Sequence, residues 1–109
     1  MSSLRGLQRW LQPYAQALIS QFHQLTVTNV WRSRGQQIRL WNKRRNNPYP
    51  VAPPGHSKHE LGLAWDMVGP PELLARAGAI WNSWGGHWSP ADAIHFEYAG
   101  HIGRRRRRG

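Results

Sequence analysis

A single small domain that mixes helices with strands is the fold class this sequence predicts, and three observations lead to it. The chain has 109 residues, enough for one modest core and too few for a second. Apolar residues recur at spacings of three and four near the start and again after Pro71, as on helices with one buried face. Stretches around 25–31, 62–67 and 94–98 either alternate or are rich in β-branched residues, and read as short strands.

Taken in order, Ser2 or Ser3 caps a first helical segment carrying Leu4, Leu7, Trp10 and Leu11. Pro13 interrupts it and opens a second helix, because proline is tolerated in a first turn; Tyr14, Ala17, Leu18, Gln21 and Phe22 form its inner stripe. Leu25 to Trp31 is a strand ending at Arg32. Ser33 caps a helix running to Arg45, with Ile38, Leu40 and Trp41 buried and Arg34, Arg39, Lys43, Arg44 and Arg45 on a solvated face. Residues 46–55 hold too much proline for regular structure and should cross the surface into the site. Gly69-Pro70-Pro71 starts a further helix, with Glu72 favourably in its first turn and Leu73, Leu74, Ala77, Ile80 and Trp81 inward. Trp84-Gly85-Gly86-His87-Trp88 then makes a flexible approach to the last strand, its glycines letting backbone pass close to a ligand or metal.

The chemistry concentrates in two clusters. In Ser57 to Asp66, a strand-like segment separates His59 from Asp66; period 2 puts Gly62, Ala64 and Asp66 on one face and Leu63, Trp65 and Met67 on the other. In Asp92 to Tyr98, His95 and Glu97 face one way and Ile94, Phe96 and Tyr98 the other. Two such strands can bring His59, Asp66 and His95 together, leaving a fourth tetrahedral position open to water as catalytic zinc sites do. Asp92, three residues before His95, is then placed to act as a general base. Of only five acidic residues in the chain, four fall in these clusters, so the acid is placed selectively. His23 and His56 read as surface or supporting histidines.

Cysteine is absent, which excludes disulfides and thiolate ligands and leaves His and carboxylate for any zinc site. The seven tryptophans are expected mostly in the core. Net charge is +10, of which Arg104 to Arg108 supply five, leaving a moderately basic body. That balance suits an anionic partner, whether wall polymer, nucleic acid or lipopolysaccharide. The like-charged run from 103 to 109 should be disordered and available as a tether, with residues 1–102 forming the domain. No apolar run approaches the ~20 residues of a membrane span, and Met1 to Leu11 does not read as a secretory peptide.

The pattern Ser57-x-His59-x-x-Gly62-x-Ala64-x-Asp66 followed by Asp92-x-x-His95 resembles the zinc D-alanyl-D-alanine carboxypeptidases of VanY type and the related L-alanyl-D-glutamate peptidases of phage endolysins. Thr28 to Ser33 followed by Gln37, Pro54-Gly55 and Trp84 to Trp88 are similar to the family too. The resemblance implies an α+β domain, hedgehog/DD-peptidase-like, with a short and mainly antiparallel sheet carrying the site and helices on its back. It implies Zn2+ on His59, Asp66 and His95, Asp92 as catalytic carboxylate, and Arg32 on the substrate or the developing oxyanion. Gln37, Ser57, Trp84 and His87 become candidates for substrate binding. Asp92-Ala93-Ile94-His95, where the carboxypeptidase branch carries Glu-x-Trp-His, and the preceding Trp-Gly-Gly-x-Trp tilt the comparison toward an L-alanyl-D-glutamate endopeptidase, expected as a monomer that meets the bacterial wall after release at lysis or on a virion. A non-catalytic wall-binding module is the competing class, disfavoured by retention of every catalytic-type residue. A nucleic-acid binder would explain the basic residues and tryptophans but not the spacing of the acids, and no nucleic-acid motif is present.

Overall fold

The computed structural model of the chain describes residues 3–102. It is an α+β domain of helices α1 (Gln12–Ile19), α2 (Arg34–Asn42) and α3 (Pro71–Ser83) and strands β1 (Thr26–Asn29), β2 (Ala64–Val68) and β3 (His95–Glu97). Short 3-10 turns at Arg44–Asn46, Lys58–Leu61 and Pro90–Asp92 punctuate the connections. The expected Ser2 cap and the Arg104 to Arg108 tether lie outside the described residues. Among the described residues no helix is long and apolar enough to cross a membrane.

The three strands form one antiparallel sheet in the order β1-β2-β3, so β2 is central. Directly paired residues share a face. Asp66 opposite His95, and Ala64 opposite Glu97, therefore put the polar cluster on one side, while Trp65 opposite Phe96 builds the other. This is the alternation the sequence predicts. An irregularity between Val27 and Asn29 shifts the β1 register so that Asn29, too, stands opposite Asp66.

The back of the sheet packs on helices. Trp65, Trp81 and Phe96 are fully buried, with Trp65 stacked on Phe96 at 5.5 Å between centroids and set edge-on to Trp81 at 4.9 Å. Leu11, Ala15 and Leu18 from the α1 region, with Leu74 and Ala77 from α3, complete this core. Trp84 and Trp88 pack partly buried against this core, so most of the seven tryptophans serve it, while Trp10 and Trp31 are 48% and 55% exposed.

Three local expectations are corrected. The segment before Pro13 is a chain of turns, because Gln8 sends its backbone N–H to the Gly62 carbonyl and its side chain to the Leu61 carbonyl, and Gly6 takes a positive φ of 95°. Leu4, Leu7 and Leu11 are buried there all the same. Helix α2 begins at the expected cap, where Ser33 accepts from the Gln36 N–H and Gln36 returns the bond, but it ends at Asn42. Its inward residue is Gln37, fully buried, while Ile38 is 43% exposed. Finally, His59 sits on a 3-10 turn, not on a strand: the Ser57 hydroxyl accepts from the His59 N–H, and Gly62 in the left-handed region ends the turn before β2 begins.

The Trp-Gly-Gly-x-Trp segment is a packing device. A Cβ built on Gly86 would fall 2.1 Å from the Trp81 indole nitrogen, and one on Gly78 only 2.0 Å from Trp88. Within the segment, Gly86 thus admits backbone against the Trp81 ring and Gly85 against the His101 carbonyl, not against a ligand. Trp88 in turn donates its indole N–H to the Ala93 carbonyl at 2.8 Å, next to Asp92. Gly78→Ala, inside α3, would ordinarily gain ~0.5–1 kcal/mol of helix stability. Here overpacking a rigid indole should cost ~1–3 kcal/mol, so we expect net loss, read as a fall in thermal midpoint of roughly 4–8 °C per kcal/mol. A rise in midpoint would mean that Trp88 is free to move aside.

Candidate active site

The polar face of the sheet forms the floor of a cleft. Residues 49–52 and 56–59 line it, together with His87, Ser89 and Asp92. Thr28, Asn29 and Arg32, from β1 and the residues after it, close the end nearest Asp66.

On that floor, His59, Asp66 and His95 each offer a ligand atom, all within 4.8 Å of one another. His59 Nε2 lies 3.2 Å and His95 Nδ1 3.3 Å from the same oxygen, Asp66 Oδ1. Each imidazole has its other nitrogen committed. His59 Nδ1 donates to the Val30 carbonyl at 2.6 Å, which fixes the tautomer because a carbonyl only accepts. His95 Nε2 lies 2.7 Å from the Glu97 carboxylate. Metal-binding imidazoles are oriented in this way, by a carbonyl or carboxylate behind them. The donor set of two imidazoles and a carboxylate, with the rings so held, fits zinc.

Charge around Asp66 follows from these contacts. Burial alone would raise its carboxyl, but hydrogen bonds and charge from His59 and His95 outweigh that and hold it well below the ordinary carboxylate range. Arg32 Nη2 adds a cation 3.7 Å from Asp66 Oδ2, and the Asn29 amide donates to the same oxygen at 3.4 Å. For His95, burial favours the neutral ring, yet Asp66 and Glu97 together push it up to about 9. Asp92 moves the other way from Asp66: burial raises its carboxyl, and the Asp66 and Glu97 charges add to that against the opposing histidines. Among the described residues the Asp92 side chain makes no hydrogen bond, so its oxygens face the cleft uncommitted.

The structure places the remaining sequence candidates unevenly. Arg32 lines the cleft, its backbone N–H bonded to the His59 carbonyl and its Nη1 to Gln37 Oε1 at 2.9 Å. Ser57 is buried and lines the cleft, its hydroxyl spent on the His59 turn. His87 is exposed at the cleft edge, with its backbone paired to Glu97. His56 is likewise exposed in the lining, while His23 lies elsewhere. Trp84 is not in the lining at all; it caps α3 and sets its ring edge-on to Trp81 at 6.3 Å, where the core holds it. Gln37 is wholly enclosed, so it cannot touch a substrate. Sequence reasoning missed Glu97 as the partner of His95, although the alternation that put both on one face was the available signal.

By sequence the chain matches no protein-family profile, and no characterised protein matches it either. Solved structures do match in fold. The vancomycin-resistance D,D-pentapeptidase VanY of a VanB-type cassette, solved with Zn(II), aligns over 86% of this chain and 73% of its own, at TM-score 0.67 and 19% identity. The LD-carboxypeptidase LdcB aligns over 88% of this chain and 66% of its own, at TM-score 0.63 and 20% identity. DacB from Streptococcus pneumoniae gives 83%, 62%, 0.55 and 20% in the same order. The chain therefore spans just under two thirds of the latter two. What it shares with all three is a fold, the VanY-like α+β domain whose antiparallel sheet carries the cleft.

Proposed function

We propose that this protein is a zinc-dependent peptidase acting on peptidoglycan stem peptides, with the bond between L-alanine and D-glutamate as its target. The observation that carries the reading is the convergence of His59, Asp66 and His95, each oriented from behind, in a cleft that also holds Asp92 and Arg32. Zinc would be held by His59 Nε2, Asp66 and His95 Nδ1, and when bound supplies a Lewis acid that polarises a carbonyl and acidifies water. Asp92 takes up the proton released in the attack: its carboxylate has no competing partner, and its raised pKa makes it the stronger base. The Arg32 guanidinium donates to the carbonyl oxygen as negative charge develops there, from a position already fixed by Gln37 and Asp66. Tyr49, Pro50 and Val51 offer a wall against which a peptide can lie extended.

The choice of bond rests on Asp92-Ala93-Ile94-His95, which departs from the carboxypeptidase pattern. A second reading, removal of a terminal D-alanine, is favoured by the names of two solved structures of the same fold, a D,D-pentapeptidase and an LD-carboxypeptidase. Mass spectrometry of purified wall digested with the protein separates the two. New L-alanine C-termini with the D-alanine ends intact are expected; free D-alanine with the L-alanine to D-glutamate bond intact would reverse the assignment.

Two variants divide the roles. Asp92→Asn should keep its zinc and lose turnover by a factor of ~10²–10⁴, the usual effect of removing a general base. Glu97→Gln should weaken zinc affinity by about 10–100-fold, as loss of a carboxylate behind a ligating histidine does. If Asp92→Asn lost metal as fully as His95→Ala, the two assignments would have to be exchanged or abandoned.

Without metal, the raised His95 ring is protonated at neutral pH, and zinc must displace that proton. A pKa raised from 6.5 to about 9 gives stability that is complete below 6.5 and lost as pH rises through about 9. Zinc affinity should rise across the same interval as the metal-free protein loses stability. Zinc titrations and unfolding midpoints of the metal-free protein at the two ends of that range read both slopes, and equal zinc affinity at both ends would exclude His95 as a ligand.

A further inference from the structure

Helix α2 buries one residue, Gln37, and the side chain is a fully enclosed amide. Both ends are engaged in opposite senses. Its Oε1 accepts from Arg32 Nη1 at 2.9 Å, and its Nε2 donates to the Ala52 carbonyl at 2.8 Å. Arg32 continues the chain of contacts to Asp66 Oδ2 at 3.7 Å. Ala52 belongs to the proline-rich stretch between Asn47 and Ser57, which has no helix or strand of its own and yet walls the cleft. Among the described residues, the other polar tie on this stretch from outside it is the Gly55 N–H to Glu60.

We infer that Gln37 is a positioning residue: one buried amide aims the Arg32 fork at the floor of the cleft and at the same time holds down the Ala52 wall against which substrate lies. The inference rests on the role proposed above for Arg32 in turnover, but not in its geometry. An amide is suited to the task because it carries an acceptor and a donor on separate atoms. A carboxylate can serve Arg32 and not the Ala52 carbonyl; a thioether of similar length serves neither well. Losing both bonds leaves an Arg32 donor and the Ala52 carbonyl without partners beside the site.

The two halves can therefore be separated with Gln37→Glu and Gln37→Met in the full chain, with zinc added. The guanidinium N–H resonances of Arg32, assigned by their absence in Arg32→Lys, report the first bond; hydrogen exchange of the 47–57 backbone reports the second. Gln37→Glu should retain slowly exchanging Arg32 protons while exchange across 47–57 accelerates. Gln37→Met should lose the first and accelerate the second. On a wall peptide, Gln37→Glu should act mainly by raising KM, whereas Gln37→Met should also lower kcat, by up to about 10²-fold for a misplaced catalytic group. Protected Arg32 protons in Gln37→Met, or indistinguishable behaviour of the two variants, would overturn the inference. If Gln37→Met does not fold, Gln37→Glu alone decides, since unchanged exchange across 47–57 contradicts the Ala52 tie. A wild-type protein that cleaves no wall peptide would overturn the proposed function, while the resonances and the exchange still decide the role of Gln37.

Discussion

Two imidazoles point at a single carboxylate oxygen, Asp66 Oδ1, and much of the cleft floor is built around that convergence. A mostly buried carboxylate is costly unless countered. Here the counter-charge comes from several directions at once: His59, His95, the Arg32 guanidinium and the Asn29 amide all address the same group. Without Asp66 these donors and cations would face one another in a space that burial makes unforgiving. With it, His95 is held between two carboxylates, Asp66 and Glu97, which stabilise its charged ring.

Register is what delivers Asp66 to its partners. A slip of one residue in β2 would exchange Asp66 for Trp65 or Met67, sending the carboxylate into the core and an indole or thioether into the cleft. The apolar back face forbids that slip, since Trp65 is stacked on Phe96 and wedged against Trp81. The irregularity in β1 does a smaller, related thing by turning Asn29 onto Asp66. The aromatic core and the polar floor are thus two sides of one constraint.

How much of this is legible in the sequence depends on the range over which each feature is decided. Strand alternation is local, so the faces of Asp66, His95 and Glu97 can be read directly. The Ser33 cap is local too, fixed by its bond with Gln36 three residues on. The N-terminal turns are not: Leu4, Leu7 and Leu11 have helical spacing, but the bonds of Gln8 go to a segment 53 residues away. The burial of Gln37 is not decided locally either, because its partners at Arg32 and Ala52 are what make a buried amide tolerable. The turn at His59 combines both ranges, because Ser57 caps it locally while Gly62 is constrained by the Gly6 carbonyl, 2.7 Å from where its Cβ would lie.

The tryptophan-glycine segment shows why a motif can support a resemblance and still say little about a reaction. Gly86 lies against Trp81, Gly78 against Trp88, and Trp88 reaches the Ala93 carbonyl, so the segment is an interlocked clasp between α3 and β3. Its chemical consequence is indirect. Asp92 ends a 3-10 turn whose neighbour Ala93 is held by that indole, and the backbone of His87 is held by Glu97, the residue that also orients His95. The clasp therefore fixes the carboxylate at 92 relative to the histidine at 95 without either aromatic ring entering the cleft. On the proposed function, a segment whose rings stay out of the cleft does not by itself choose between an endopeptidase and a carboxypeptidase. Discrimination between them must come from the residues that do line the cleft, where Asp92 is a shorter acid than glutamate and the wall around Ala52 sets the room left for a peptide.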